Sequence, residues 1–335
     1  MKGKPLPFCP PLLTIIQEHR MQLKKLRQTL AAGAFALFSA PLFAQTLNLG
    51  LLPAADSVVL YAAQEEGCFK KAGLDVKLTP FKSALEAGAA MRAGKLDGHF
   101  GDLMNVFAQN ETGAPQTVVL TTTHTSPAQR AFGLVVSPKK AGAIKSLADL
   151  KKTPTAMSAA TIIDYLLDRM KSTQKLPADA LVNQEIRQIP IRQQMLLSGQ
   201  VDTALLPEPL VTAVEKAGGR VIWDDRKLDE ALAVVALSKK AATPETVAAF
   251  RKAVAEAARL IEANPDRYRR MMVEKRLLPK QAAAGYAMVR FSLFGRANGL
   301  PPPPSKSDVK RVGEWMKSRG MLKRVPDYAS VVYPE

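Results

Sequence analysis

The sequence predicts an α/β fold of two similar lobes joined by two crossings. Three observations carry this. Short apolar segments alternate with helix-like stretches of 10–13 residues, the βαβ rhythm of a mostly parallel sheet. The rhythm runs once from about residue 47 to 123 and again from 153 to 225. Two similar segments, AFGLVVSPKK at 131–140 and ALAVVALSKK at 231–240, bracket the second series and read as paired crossings. The expected lobes are 45–135 with 236–335, and 136–235, after an N-terminal part at 1–44.

In the first series, Leu47 to Leu51 alternates as a strand. Pro53 to Ser57 is a turn, Asp56 or Ser57 can cap the helix VVLYAAQEEG, and Gly67 ends it. A strand at 74–81, a helix from Ser83 to about Arg92 stopped by Gly94, a strand at 96–103, a helix MNVFAQNETG and a strand at 116–123 complete the lobe. A short helix is expected from Ile144 to Leu150.

The second series offers a strand at 153–159 and a helix with Ile162, Ile163, Leu166 and Leu167 on one face. Then come a strand at 185–190, a helix IRQQMLLSG, a strand at 201–207, a helix from Glu208 to Ala217 and a strand at 220–225. After residue 240 the pattern is helical. Thr243-Pro244 opens a helix to about Ala263, Asn264-Pro265 opens the next, and Gln281 to about Leu293 is expected as another. Pro301 to Pro304 is a stiff connector. Ser305 with Asp308 predicts a capping box on a last helix, whose Val309, Val312, Trp315 and Met316 are expected to pack on the first lobe.

The N-terminal part has the order of a secretory signal. Lys24, Lys25 and Arg27 precede the apolar LAAGAFALFSAPLFA, which closes on Leu42-Phe43-Ala44. The apolar run is about 15 residues, short of the ~20 that span a bilayer. Cleavage after Ala44 is expected; Met21 or Met1 can serve as the start. The first 44 residues hold six Lys or Arg and one Glu, so their loss takes the formal charge from +17 to +12. The basic residues are dispersed pairs without aromatic interleaving, so nucleic acid is not an expected partner. Cys9 would leave with the signal, so Cys68 has no partner within the chain and no lipid-bearing cysteine follows the apolar run. A free exported monomer is expected.

Motifs of catalysis are missing. There is no nucleophile elbow, phosphate-binding loop or dinucleotide fingerprint. His99 and His124, with one cysteine, match no metal-ligand spacing, so no metal and no cofactor is expected. His99 reads as a strand residue of the core, and His124 stands where a strand opens onto a loop.

Several segments resemble one family. Gly50-Leu51-Leu52-Pro53 with Asp56, then YAAQEEGCFKKAGLDVKL, the steps Gly94 to Gly98 and Gly199 to Asp202, and Leu206-Pro207-Glu208-Pro209 are similar to the solute-binding proteins of ABC importers in the aliphatic-sulfonate, taurine, nitrate and thiamine-precursor group. That resemblance implies the type 2 periplasmic-binding-protein fold, a ligand cleft between lobes, a periplasmic location and delivery of a small polar solute to a membrane permease. A solute sensor with the same fold, or an enzyme like the thiamine-pyrimidine synthases, is the alternative. The enzyme would need a lysine-bound pyridoxal phosphate and usually a cysteine-rich motif, which this chain lacks.

In open α/β sheets ligands lie beyond the carboxyl ends of strands, where helix N-termini offer free N–H groups. This places candidates at Pro53, Ala54, Asp56 and Ser57, at Lys82 and Ser83, at Gly101, Asp102 and Met104, and at Thr122, Thr123 and His124. The second lobe supplies Ser158, Ala159, Thr161 and Glu208. These loops hold Asp56, Asp102 and Glu208 and no arginine, which counts against a sulfonate or nitrate unless the acids face away or hold a cation, and leaves room for a neutral heterocycle, a zwitterion or an amine.

Overall fold

The structure, a computed structural model, describes residue 3 and residues 45–335. The expected signal peptide and its cleavage site lie outside the described residues. Among those described, no helix is long and apolar enough to cross a membrane.

The first half forms β1 (Gln45–Leu51), α1 (Val58–Glu65), α2 (Cys68–Lys71), β2 (Leu74–Pro80), α3 (Ala84–Arg92), β3 (Gly98–Gly101), α4 (Leu103–Glu111) and β4 (Gln116–His124). The second set is β5 (Phe132–Val136), β6 (Thr153–Met157), α5 (Ile162–Thr173), β7 (Leu181–Glu185), α6 (Ile189–Ser198), β8 (Thr203–Pro207), α7 (Leu210–Lys216) and β9 (Arg220–Asp224). Then follow β10 (Ala231–Ser238), α8 (Pro244–Ala263), α9 (Pro265–Glu274), α10 (Lys306–Ser318) and α11 (Tyr328–Val331).

Two five-stranded sheets result, ordered β2-β1-β3-β10-β4 and β7-β6-β8-β5-β9. In each, four strands run parallel and one, β10 or β5, runs against its two neighbours. This is the two-lobe α/β architecture of type 2 periplasmic-binding proteins.

The similar segments at 131–140 and 231–240 are therefore these two antiparallel strands, one in each sheet. The boundaries expected at 135/136 and 235/236 would cut through them. The crossings come just before, and they lie side by side. Thr125 N–H donates to Glu230 O at 2.9 Å, and Thr125 Oγ1 to Leu228 O at 2.8 Å. Asp225 Oδ1 accepts from Ala131 N and Phe132 N at 2.9 and 2.8 Å. We accordingly propose residues 45–124 with 231–335 as one lobe and 132–224 as the other.

Other expectations also shift. The strand expected at 185–190 is β7, which ends at Glu185, and residue 189 already begins α6. Pro190 sits in the first turn of α6, where its missing N–H costs nothing. The helix expected from Gln281 to Leu293 is replaced by two 3-10 turns, Lys280–Ala282 and Phe291–Phe294, around irregular chain. Gly285 there has φ +68°, and Tyr286 and Met288 are both buried, a two-residue spacing that a helix would split between faces. Neither Asp56 nor Ser57 caps α1: Ser57 Oγ donates to Ala54 O at 2.8 Å, and a 3-10 turn leads into the helix.

The Ser305–Asp308 capping box is present, with Asp308 N donating to Ser305 Oγ at 3.0 Å and Ser305 N to Asp308 Oδ2 at 2.7 Å. The helix it starts, α10, packs on both lobes. Val309, Val312 and Met316 share one apolar cluster with Leu103 and Phe107 of the first lobe and Leu166 and Leu167 of the second. Trp315 Nε1 also donates to Asp168 Oδ2 of α5 at 3.0 Å. The separate core behind the first sheet gathers Leu47, Leu49, Val58, Phe69, Phe250 and Val254, and the Phe69 and Phe250 rings stack at 5.4 Å.

Gly98 shows how closely β3 approaches β10. A Cβ there would stand 2.5 Å from the carbonyl oxygen of Ala236 and 2.6 Å from Leu237 Cδ2. Gly98→Ala is expected to cost about 1–3 kcal/mol, the usual range for overpacking. Urea unfolding followed by circular dichroism measures it; an unchanged midpoint would contradict this packing.

Candidate functional site

The carboxyl ends of parallel strands from both sheets face one cavity of about 430 Å³. Each strand delivers its next residues into the wall: Ala54 and Asp56 after β1, Gly101 and Asp102 at β3, and Thr122, Thr123 and His124 at the end of β4. From the other lobe come Ser158 and Thr161 after β6, and Glu208 after β8.

The other sequence candidates lie outside this wall. Pro53 borders a separate shallow depression. Ser57 is spent on Ala54 O, and Ser83 caps α3 by accepting from Glu86 N at 3.3 Å. Met104 is in the apolar core beside Leu103 and Phe107. Lys82 and Ala159 are exposed. Main-chain groups at both nonetheless serve: Lys82 O accepts from Ile189 N at 3.0 Å across the lobes, and Ala159 N donates to Glu185 Oε2 at 3.0 Å.

All three wall carboxylates already have partners. Asp56 accepts from Thr122 Oγ1 at 2.5 Å; burial raises its carboxyl pKa, and hydrogen bonds from Thr122 and Thr123 pull it back. Asp102 joins two helices from opposite lobes. Its Oδ1 accepts from Asn105 N of α4 at 2.8 Å and its Oδ2 from Ile162 N of α5 at 3.0 Å. Burial pushes this carboxyl up to about 6 against those bonds. Glu208 Oε1 takes both Nε and Nη2 of Arg130 at 2.8 and 2.6 Å, and Thr212 Oγ1 at 3.1 Å. Its main chain closes the lobes too, through Ala55 N to Glu208 O at 2.8 Å.

The helix N-termini expected to receive an anion are likewise taken. At the start of α5, Ala160 N donates to Asp164 Oδ2 at 3.0 Å, Ile162 N to Asp102, and Ile163 N to Thr161 Oγ1 at 3.2 Å.

The cation of the site is one that sequence reasoning missed. Arg130, Arg187, Arg192, Arg226 and Arg290 all line the cavity, from segments other than the loops that the sequence reading took to be without arginine. Arg130 is matched by Glu208, Arg187 by Glu185 at 2.8 Å and Arg226 by Asp224 at 2.7 Å. Arg192 differs. Its side chain is 1% exposed, and among the described residues its Nε and Nη1 have no hydrogen-bond partner. Burial pushes its pKa down to about 10, with the more distant Glu185 acting the other way. At neutral pH it is still a cation.

The rest of the wall is largely apolar. Phe100, Phe132, Leu232, Tyr286, Met288 and Phe294 contribute, and the His124 and Phe294 rings meet edge to face at 5.3 Å. The irregular stretch 283–290 and the following 3-10 turn therefore form a side of the cavity, which explains why that chain is not a helix.

His99 lies behind the wall on β3, buried, with its Nδ1 unpartnered among the described residues. Desolvation lowers its pKa to about 4 from an ordinary 6.5. Between those values the unfolded chain binds a proton that the folded chain refuses, so stability falls as pH falls through that window. The His99 contribution reaches about 3 kcal/mol by pH 4, because each pH unit between the two pKa values is worth ~1.4 kcal/mol. Asp102 and Asp225, each raised by burial to about 6, act oppositely, since the folded chain takes up their protons first. His99→Gln is expected to remove the His99 part: in denaturant titrations the stability of the variant relative to wild type should rise by about 3 kcal/mol as pH drops from 7 to 4. A constant difference would contradict a neutral buried imidazole.

A family model described as NMT1/THI5 like matches residues 54–268. No curated protein sequence matches the chain. Among solved structures, the chain is similar to the alkanesulfonate-binding protein SsuA from Xanthomonas axonopodis pv. citri, bound to MOPS, with 18% identity, TM-score 0.69, and 86% of this chain and 98% of that one covered. The periplasmic aliphatic sulphonate binding protein SsuA from Escherichia coli matches with 17% identity, TM-score 0.69, and 87% and 92% coverage. The periplasmic nitrate-binding protein NrtA from Synechocystis PCC 6803 follows at 14% identity, TM-score 0.63, and 87% and 86% coverage.

Proposed function

Since the chain belongs to the NMT1/THI5-like family, we propose that it is the solute-binding component of an ABC uptake system, exported to the periplasm, where it holds a small polar solute between its lobes and presents it to a permease. The observation that carries this reading is the cavity itself, walled by strand ends of both sheets and flanked by the paired crossings. Ligands of open α/β sheets occupy this position, and crossings of this kind allow lobes to open and close about them.

Among the described residues no group of three or more His, Cys, Asp or Glu could hold a metal ion. The three wall carboxylates serve capping, ion pairing and lobe closure. Carboxylates so engaged favour capture over chemistry. The uncompensated Arg192 favours an anionic solute over the neutral or amine-bearing one that the loops alone indicate. The similar proteins named for alkanesulfonate, one of them bound to MOPS, and for nitrate support the same direction.

Thermal-shift screening of the purified protein against sulfonates, carboxylates, nitrate, pyrimidines, amino acids and polyamines tests the reading. A true ligand at one hundred times its Kd should stabilise the fold by ~2.7 kcal/mol. If no small solute shifts the melt, the solute-binding reading is wrong.

A further inference from the structure

Resting on the solute-binding reading, we infer that the solute is an aromatic acid, a carboxylate or sulfonate on an aryl body, with its acid group on Arg192. Two independent features of the cavity carry this. One is the unpartnered guanidinium. Of the other arginines in the wall, Arg130, Arg187 and Arg226 each have a carboxylate within ion-pair distance, and Arg290 is exposed to solvent. Arg192 has a planar fork of donors, is 1% exposed, and its Nε and Nη1 meet no acceptor among the described residues. Planar two-oxygen acids are the groups that such a fork matches.

The other feature is size and surface. About 430 Å³ is in the ~300–1,000 Å³ range of pockets that enclose drug-sized ligands. Nitrate or taurine alone would leave most of it to water. The lining instead offers Phe100, Phe132, Phe294 and the His124 ring, with Met288 among them. Aromatic rings favour edge-to-face neighbours, the geometry His124 and Phe294 already adopt at 76°. A thioether adds favourable contact with a ring edge.

Calorimetric titration separates this inference from the reading beneath it. The probes are naphthalene-2-carboxylate, naphthalene-2-sulfonate, the neutral naphthalene-2-carboxamide, taurine and nitrate. The proteins are the wild type, Arg192→Gln and Arg192→Lys, each checked for native circular dichroism. The expected result is one-to-one binding of an aryl acid, weakened at least about 50-fold in Arg192→Gln and by less in Arg192→Lys, with the amide at least about 50-fold weaker than its acid. Tighter binding of taurine or nitrate than of either aryl acid would overturn the aromatic part. Binding of any probe that is indifferent to Arg192→Gln would overturn the role of Arg192. Either result would leave solute binding intact, whereas failure of these probes together with the whole thermal-shift panel would remove the solute-binding reading itself.

Discussion

Glu230→Ala is expected to destabilise the protein by about 3–5 kcal/mol, the range for breaking a buried ion pair by removing one partner. Glu230 is 1% exposed and stands on the second crossing. Its Oε1 accepts from Arg169 Nε at 2.8 Å, and its Oε2 from Tyr165 Oη at 2.9 Å and Arg311 Nε at 3.0 Å. The first two donors belong to α5 of the second lobe and the third to α10. Its backbone N–H donates to Thr125 Oγ1 of the first crossing at 2.9 Å. One carboxylate therefore ties a crossing, a lobe and the C-terminal helix. Its loss leaves two guanidinium groups and a hydroxyl without that acceptor, and Ala cannot replace it. Glu230→Gln keeps one acceptor oxygen and should cost less than Ala. Guanidinium unfolding of the three proteins decides the matter, and equal midpoints would contradict the hub.

Arg192→Met should move stability the other way. A buried guanidinium without a partner carries its desolvation cost uncompensated, whereas Met fills similar length with apolar contact. The fall of its pKa to about 10 puts that cost on the order of 3 kcal/mol, since a tenfold change in proton affinity is worth ~1.4 kcal/mol. Recovery of even ~1 kcal/mol would raise the melting temperature of the ligand-free protein by roughly 2–4 °C. The same variant should lose anion binding. A group that costs stability in the free protein and is required by the ligand is the expected signature of a binding residue. A lower melting temperature in Arg192→Met would mean that the guanidinium is structurally satisfied.

Much of the fold is legible because its signals are local. Ser83 and Thr161 stand at helix starts, Gly94 and Gly199 end helices with positive φ, and the capping box at Ser305 is complete. Where tertiary contact overrides local pattern, the sequence misleads. Residues from Gln281 to about Leu293 look helical, yet Tyr286 and Met288 are drawn separately to the core and Leu293 to the cavity. In the site, loops after correctly placed strands supply Asp56, Asp102 and Glu208 to the wall, and the end of β4 supplies Thr122.

Arg192 escapes sequence reading for two reasons. The local pattern puts the preceding strand at 185–190 rather than Leu181–Glu185, which hides that residues 186–192 follow a strand's carboxyl end. With β7 in place, the rule that found the other loops points to the first turn of α6. The burial that marks Arg192 as the unmatched cation is visible only in three dimensions, because nothing local separates it from Arg187.

Native mass spectrometry of the protein, kept folded throughout and incubated with the solute panel, decides whether the cavity holds a solute. One small organic anion per chain is expected, retained by the folded protein and released on denaturation. A protein that keeps the mass of the bare chain with every solute would contradict it.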